Sequence, residues 1–415
     1  MLLKINTIFK NKNSRNVLVL YLSLFIGLIV SLAASSINTH ALGADQFGDF
    51  KFLQTISTFS ITVTTFGFFV SAGRLLALNE SAKERREILG SVIVIALCIY
   101  VIFALVFWIL SYYIVDVFDR ELGWLIRLSL PLIFIYPLNI CLENVLKGLN
   151  SIYSLASIRF FPNFFYLIYA YSLYQTQMLD LATAYFAYIG FSAIVFLSVL
   201  CLHQPLFHNI KVNIRLIYNQ TRDYGFKVYT GILASVATMH FGGVMTAFYL
   251  DTKSAGFFLL ARTMTLPLIQ ISTAIGTSFF RKFANSKVIT TKVIAATMGS
   301  SLLLLAAFLI VTADLVKWLY PPEFEVIISL CYIMSVGATL QGIGGMINNF
   351  VCARGFGGYS RNASFIRGAI NILGYTLGIK YFGMHGAAYT VLISGCAYLL
   401  AMSLCYKLII RKTDI

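Results

Sequence analysis

Charged residues are scarce in this sequence. Lys, Arg, Asp and Glu make up 11% of its 415 residues, where a soluble protein carries roughly a quarter. That scarcity excludes water as the main solvent of the folded chain. Acidic residues are scarcer still, 16 against 31 basic ones, and no paired-carboxylate site, His/Cys metal cluster or phosphate-binding Gly-rich loop can be assembled from the spacing. Catalysis is therefore not expected, and neither is a cofactor. The cysteines (Cys98, Cys141, Cys201, Cys331, Cys352, Cys396 and Cys405) lie in or beside apolar blocks without a CxxC pair. They read as small apolar residues rather than a disulfide framework or a zinc site. Long polar segments are missing too. The longest, Gln204 to Lys227, is too short to enclose a core.

What is present is hydrophobic: 59% of residues, with a mean hydropathy of +0.82. The blocks run over about 17–38, 51–73, 88–114, 122–146, 160–177, 181–203, 226–249, 257–280, 292–313, 326–350, 363–381 and 386–408. Most reach the roughly 20 residues that a bilayer requires. The run from Val17 to about Asn38 follows Lys4, Lys10, Lys12 and Arg15. It is too long for a signal h-region and lacks an Ala-x-Ala-like site after it, so it is read as a retained first helix. The expected fold is all-α and integral to the membrane, with about twelve transmembrane helices.

Basic residues then set the orientation. With the N-terminus inside, Lys and Arg at 4, 10, 12, 15, 74, 83, 85, 86, 147, 159, 211, 215, 222, 227, 281, 282, 287, 292, 354, 361, 367, 407, 411 and 412 fall on the cytoplasmic side. The other side keeps Lys51, Arg120, Lys253, Lys317 and Lys380, a bias of 24 to 5. Such retention in cytoplasmic loops accounts for the net charge of +15 without a nucleic-acid partner.

The halves echo each other. Leu42-Gly43-Ala44-Asp45-Gln46-Phe47-Gly48-Asp49-Phe50 follows the first block, and Leu250-Asp251-Thr252-Lys253-Ser254-Ala255-Gly256-Phe257-Phe258 follows the seventh, at an offset of 208. Thr55 then meets Thr263, Arg74 meets Lys282, and Arg159 meets Arg367. Lys147-Gly148-Leu149 meets Arg354-Gly355-Phe356 after a one-residue slip. Six helices per half give a parallel repeat: an N-terminal bundle over 1–204, a cytoplasmic linker over 205–225 and a C-terminal bundle over 226–415. They are related by a pseudo-twofold axis along the membrane normal. Transporters built this way bind substrate in a central cavity between the halves.

The Leu-Gly-x-x-x-Phe-Gly-x-Phe pattern of Leu42 to Phe50, and its echo from Ala255 to Arg262, is similar to that of Wzx-type O-antigen (polysaccharide) flippases. These form part of the polysaccharide transporter branch of the multidrug/oligosaccharidyl-lipid/polysaccharide exporter superfamily. The resemblance implies a bacterial inner-membrane protein with both termini cytoplasmic. It implies translocation of an undecaprenyl-pyrophosphate-linked oligosaccharide by alternating access, in contact with membrane lipids and with polymerase or assembly proteins as candidate partners. A cation-coupled small-molecule exporter of the same superfamily is the close alternative. An integral-membrane polymerase or ligase is disfavoured by the short outside loops.

For such cargo Arg262, inside the eighth block, is the first candidate phosphate ligand, because intramembrane guanidinium is costly unless it has a task. Arg127, with Glu121 nearby as a partner, has the same ambiguity and is better explained by snorkelling. Arg159 and Arg367 lie where phosphate would enter from the cytoplasm, and are equally well explained as flanking positive-inside residues. Gln54, Ser57, Thr58, Thr62 and Thr65 on one block and Thr265, Ser272, Thr273 and Gly276 on another offer polar faces for sugar, or interhelical hydrogen bonds. Glu143, with Lys147 at i+4, and His240 are the candidates for coupling to a proton or sodium gradient. Pro131, Pro137, Pro162 and Pro267 mark expected kinks, and Gly337, Gly342, Gly344 and Gly345 expected close contacts or bends.

Overall fold

A computed structural model describes residues 12–118 and 121–413, apart from the side chains at 12–22, 24, 115, 281 and 412–413. Of the charges invoked above, Lys4, Lys10, Lys12, Arg15, Arg120, Arg281 and Lys412 lie outside the described side chains. All regular structure among the described residues is helical. In chain order it comprises α1 (Lys12–Thr64), α2 (Phe68–Leu78), α3 (Ala82–Phe118), α4 (Gly123–Ser129), α5 (Ile135–Gly148), α6 (Ile152–Gln175) and α7 (Leu181–Leu202). There follow α8 (Ile210–Tyr249), α9 (Thr252–Ser278), α10 (Phe280–Ala284), α11 (Thr291–Leu319), α12 (Ile327–Ala353), α13 (Gly357–Leu373) and α14 (Ile379–Thr413). Among the described residues, eight helical runs are long and apolar enough to cross a membrane, and three of them reach 40 residues or more. The chain is an all-α integral membrane protein.

Several boundaries differ from the sequence expectation. The block at 122–146 is two helices, because Pro131 has no N–H to donate and a hydrogen-bonded turn over 130–134 separates α4 from α5. Pro162 and Pro267 instead sit within continuous helices. The block at 51–73 breaks where Phe66 and Gly67 adopt positive φ. The linker expected over 205–225 is helical from Ile210 and continues into α8 through a π-helical turn at Thr221–Gly225. Two further π turns occur, at Leu233–Ala237 within α8 and at Gly374–Gly378 between α13 and α14.

Residue contacts divide the chain into two compact units. One comprises residues up to Leu42 with Ser57–Thr230, the other Gly43–Ile56 with Gly231 onward. The chain division therefore falls between Thr230 and Gly231, and one stretch of α1 is built into the second unit.

That stretch is the Leu42–Phe50 motif, expected as a connection after the first helix. It is helical except at Gly43, where φ 67° and ψ 179° break α1. The helix restarting at Ala44 has exposed N–H groups at its first turn. The Glu323 carboxylate accepts from the Ala44 amide at 2.8 Å, supplying the negative charge that a helix N-terminus favours. Next to it Phe324, fully buried, packs edge-on against Phe47 and Phe257 with centroids 5.6 and 5.2 Å away.

One turn further on, α1 crosses α9 at repeat-equivalent positions. A Cβ on Gly48 would stand 2.4 Å from the Thr252 carbonyl oxygen, and one on Gly256 would stand 2.7 Å from the Gly48 Cα. The Thr252 hydroxyl donates to Asp49 at 2.6 Å, and Lys253 pairs with Asp45 at 3.2 Å. Lys253 and Asp45 are themselves 208 residues apart. Asp251 caps α9 by accepting from the Ser254 amide at 2.6 Å.

The rest of the second unit rests on similarly close helix contacts. Gly337 and Gly395 let α12 and α14 touch backbone to backbone, and Gly342 seats α12 on α9. Apolar lipid provides little drive for helices to associate, so small residues and tight packing supply it. α12 is unbroken, which makes its glycines packing residues rather than bends.

Replacing Gly48 with Val should force α1 and α9 apart. Overpacking of this kind costs about 1–3 kcal/mol, and the variant is expected to melt at lower temperature than wild type in detergent. Unchanged melting would show that the crossing does not need glycine.

Candidate functional site

The second unit gathers polar groups from four helical segments. α9 carries Arg262, α13 carries Arg367 and Asn371 one turn apart, the π turn after it carries Tyr375, and α14 carries Tyr398. α8 supplies Thr238 and Met239 immediately after its own π turn. A π turn inserts one residue into the helical register and re-aims the side chains beside it, which is why such turns recur at functional sites. Here two of them flank one cluster.

Arg262 donates from Nη1 to the Met239 carbonyl oxygen at 2.6 Å, with the Tyr375 hydroxyl beside its guanidinium. The Tyr375 ring is buried and lies flat on Gly242, where a Cβ would come within 2.7 Å of it. Arg367 is 8% exposed. Its guanidinium lies 5.5 Å from the Tyr398 ring centroid, in the range of a cation–π contact, and Nη2 approaches the Met239 sulfur at 3.8 Å. The two arginines are close enough to feel each other's charge. Asn371 donates to the Thr238 hydroxyl at 3.2 Å. The Arg367 Nε and the Asn371 Oδ1 are both buried without a hydrogen-bond partner.

Among the described residues neither arginine has a carboxylate partner. Two like charges held in a helical bundle, with the Arg367 Nε donor unused, have a clear chemical complement. It is an anion with several oxygens, which guanidinium binds in bidentate fashion.

The repeat partner of Arg367 is differently placed. Arg159 contacts Glu143 at 3.1 Å, and Glu143 also holds Lys147 at 3.1 Å. The two residues expected in separate roles, phosphate ligand and coupling carboxylate, are thus bonded to each other in the first unit. Arg127 is exposed and lies over the Tyr112 ring, 4.9 Å from its centroid. His240 follows Met239 and lies near Arg262. Gln54, half-buried, belongs to the α1 stretch of the second unit and Thr58 to the first unit.

The hydroxyl faces are used mostly within their own helices. Thr265 donates to the Arg262 carbonyl at 2.9 Å, Thr62 to Thr58 at 2.6 Å and Thr65 to Thr62 at 3.3 Å. Thr273 reaches the Ile269 carbonyl at 3.0 Å. Ser272 is an interhelical contact, bonding to Ser301 at 2.6 Å.

Sequence reasoning passed over Tyr375, Tyr398, Thr238, Met239 and Asn371. Only Asn371 had a signal, its i+4 spacing from Arg367. It also passed over a tyrosine cluster in the first unit. There Tyr166 donates to Asn38 at 2.7 Å and packs on Tyr188, with centroids 5.8 Å apart. Tyr136 and Tyr185 are buried beside each other, near Ser57 and Ser129.

No protein-family model matches the chain, and no curated protein matches it in sequence. Solved structures do share its fold. The lipid II flippase MurJ in an inward closed conformation superposes with a TM-score of 0.75 at 15% identity, over 94% of this chain and 87% of that one. An inward-facing multidrug resistance MATE family transporter of the MOP superfamily gives 0.72 at 14% identity, over 94% and 95%. A MOP superfamily transporter from Pyrococcus furiosus, for which reverse polarity of the binding pocket suggests a different function, gives 0.67 at 13% identity, over 98% of each chain. The chain therefore has the fold shared by these membrane transporters.

Proposed function

We propose that this protein is a flippase for a lipid-linked oligosaccharide carrying a phosphate or pyrophosphate group, working by alternating access in a bacterial inner membrane. The reading extends to undecaprenyl-pyrophosphate-linked repeat units of a surface polysaccharide. The observation that carries it is the carboxylate-free pair Arg262 and Arg367, with the unpartnered Arg367 Nε and Asn371 Oδ1 beside it. A substrate phosphate would take the guanidinium donors, and a sugar hydroxyl can donate to Asn371. Glu143, neutralised by Arg159 and Lys147, has no need of a coupling ion to offset its charge.

A multidrug exporter is the second reading, favoured by the nearly equal likeness to a MATE family structure. A cationic drug would meet repulsion at Arg262 and Arg367, so the exporter reading requires an anionic or neutral drug here.

Deleting the gene is expected to abolish surface polysaccharide and to leave its lipid-linked precursor in the cytoplasmic leaflet. Normal display with no such accumulation would overturn the flippase reading. Drug hypersensitivity with normal display would favour the exporter. In a complemented strain Arg262→Ala and Arg367→Gln should each lower export about tenfold to a hundredfold, since a hydrogen bond to a charged group is worth about 1.5–3 kcal/mol.

Stability should move differently at the two repeat-equivalent arginines. Removing an uncompensated buried charge is commonly neutral or stabilising, whereas breaking a partly buried pair leaves a charge stranded. In ligand-free detergent solution, Arg367→Met is expected to melt at or above the wild-type temperature, and Glu143→Gln below it. The reverse order would show that Arg367 has a structural counter-charge and is not waiting for substrate.

A further inference from the structure

The helix entering α8 carries a surface that the transport reading does not use. α8 is 40 residues long. At 1.5 Å per residue it spans about 60 Å, roughly twice the hydrocarbon thickness, so its N-terminal part lies beyond the hydrocarbon. The segment leading into it, Gln204 to Asn209, is held within the first unit. Arg86 donates to the Gln204 carbonyl at 2.7 Å, and Asn209 donates to Glu87 at 3.1 Å. A Cβ on Gly90 would come within 2.2 Å of the Leu206 carbonyl oxygen. Ile217 is fully buried on the packed side.

The opposite side carries two parallel stripes. Lys211 and Arg215, one turn apart, are exposed, and no carboxylate among the described residues pairs with either. Beside them, about 100° around the helix, Val212 and Leu216 are 66% and 45% exposed. No Asp or Glu occurs from Gln204 to Arg222; among the described residues Glu87 reaches the segment on the packed side, with Asn209, and Asp223 pairs with Arg222 at its far end. Adjoining basic and apolar stripes on a helix at the edge of a bilayer form the chemistry of an interfacial lipid contact.

We propose that this face binds an anionic phospholipid. Lys211 and Arg215 hold the phosphate, while Val212 and Leu216 lie against the first acyl carbons. The complementarity is between a basic stripe free of nearby acid and an anionic headgroup. A second protein molecule would leave those charges unanswered unless its own surface were acidic. The proposal requires the chain to span a bilayer, and it does not depend on which substrate is carried.

The test uses the full-length protein in nanodiscs. Retention of phosphatidylglycerol against phosphatidylcholine is measured by native mass spectrometry for wild type, Lys211→Gln/Arg215→Gln, and the control Lys287→Gln/Lys292→Gln. Each basic residue at a lipid surface adds about 1 kcal/mol to binding, so the first double variant, which removes two, should lose phosphatidylglycerol retention about thirtyfold and the control should keep it. In parallel, Val212→Trp in a background with Trp108, Trp124 and Trp318 replaced by Phe supplies a single indole whose emission brominated phosphatidylglycerol should quench. Equal retention in both double variants would overturn the proposal. So would a Trp at 212 reached by aqueous iodide and not by brominated lipid, the result expected if a soluble partner or a second copy covers this face.

Discussion

A guanidinium in the interior of a membrane bundle has to be answered by something, because hydrocarbon does not solvate it. Three answers occur in this molecule. Arg127 reaches the outside and lies on an aromatic face. Arg159 has a carboxylate. Arg262 and Arg367 have a backbone carbonyl and aromatic rings, which offset part of the charge and leave the Arg367 Nε without an acceptor. Much else in the second unit serves to hold that third arrangement. Gly242 makes room for Tyr375, and the π turns bring Met239 and Tyr375 into register with the arginines.

The difference between Arg159 and Arg367 follows from one position in the repeat. Allowing the one-residue slip, Glu143 has Phe350 or Val351 as its counterpart in the second half. Both are buried in the apolar packing around Phe283 and Tyr406. The first half thus retains an acid for its arginine and the second half replaces it with hydrocarbon. Gln54 and Arg262 are likewise 208 residues apart, so the second half also has a cation where the first has an amide. Both differences make the second half of the sequence more positive than the first at equivalent positions.

The helical, membrane-embedded fold was legible because bilayer thickness and charge retention act on long stretches, and composition alone reports them. Arg262 and Arg367 were legible for the same reason, since a charge stands out in an apolar block. The surrounding shell was not. Tyr375 and Tyr398 look like any aromatic residue in a membrane helix, and their placement depends on π turns that leave no mark in hydropathy. The Leu42–Phe50 motif was visible as a repeat but not as a kinked helix, because its continuity depends on Glu323, 279 residues away. Helix from Ile210 to Gln220 was hidden by its polar composition, which reads as a linker until the packed face at Ile217 is seen.

The kink at Gly43 and the break at Gly67 have different consequences from the packing glycines of α12. Positive φ at these two positions divides α1 and α2 into rigid pieces, whereas Gly337 and Gly342 hold neighbours together without bending. α1 between Gly43 and Ile56 is tied to α9 by Asp49, Asp45 and the Gly48 crossing, and to the turn before α12 by Glu323. Its ends join a different compact unit. Any change in the direction of α1 must therefore be taken up at Gly43 or beyond Ile56. The contacts between these points are too short-ranged to stretch, and a glycine already in the left-handed region can change its backbone angles with less steric resistance than any other residue.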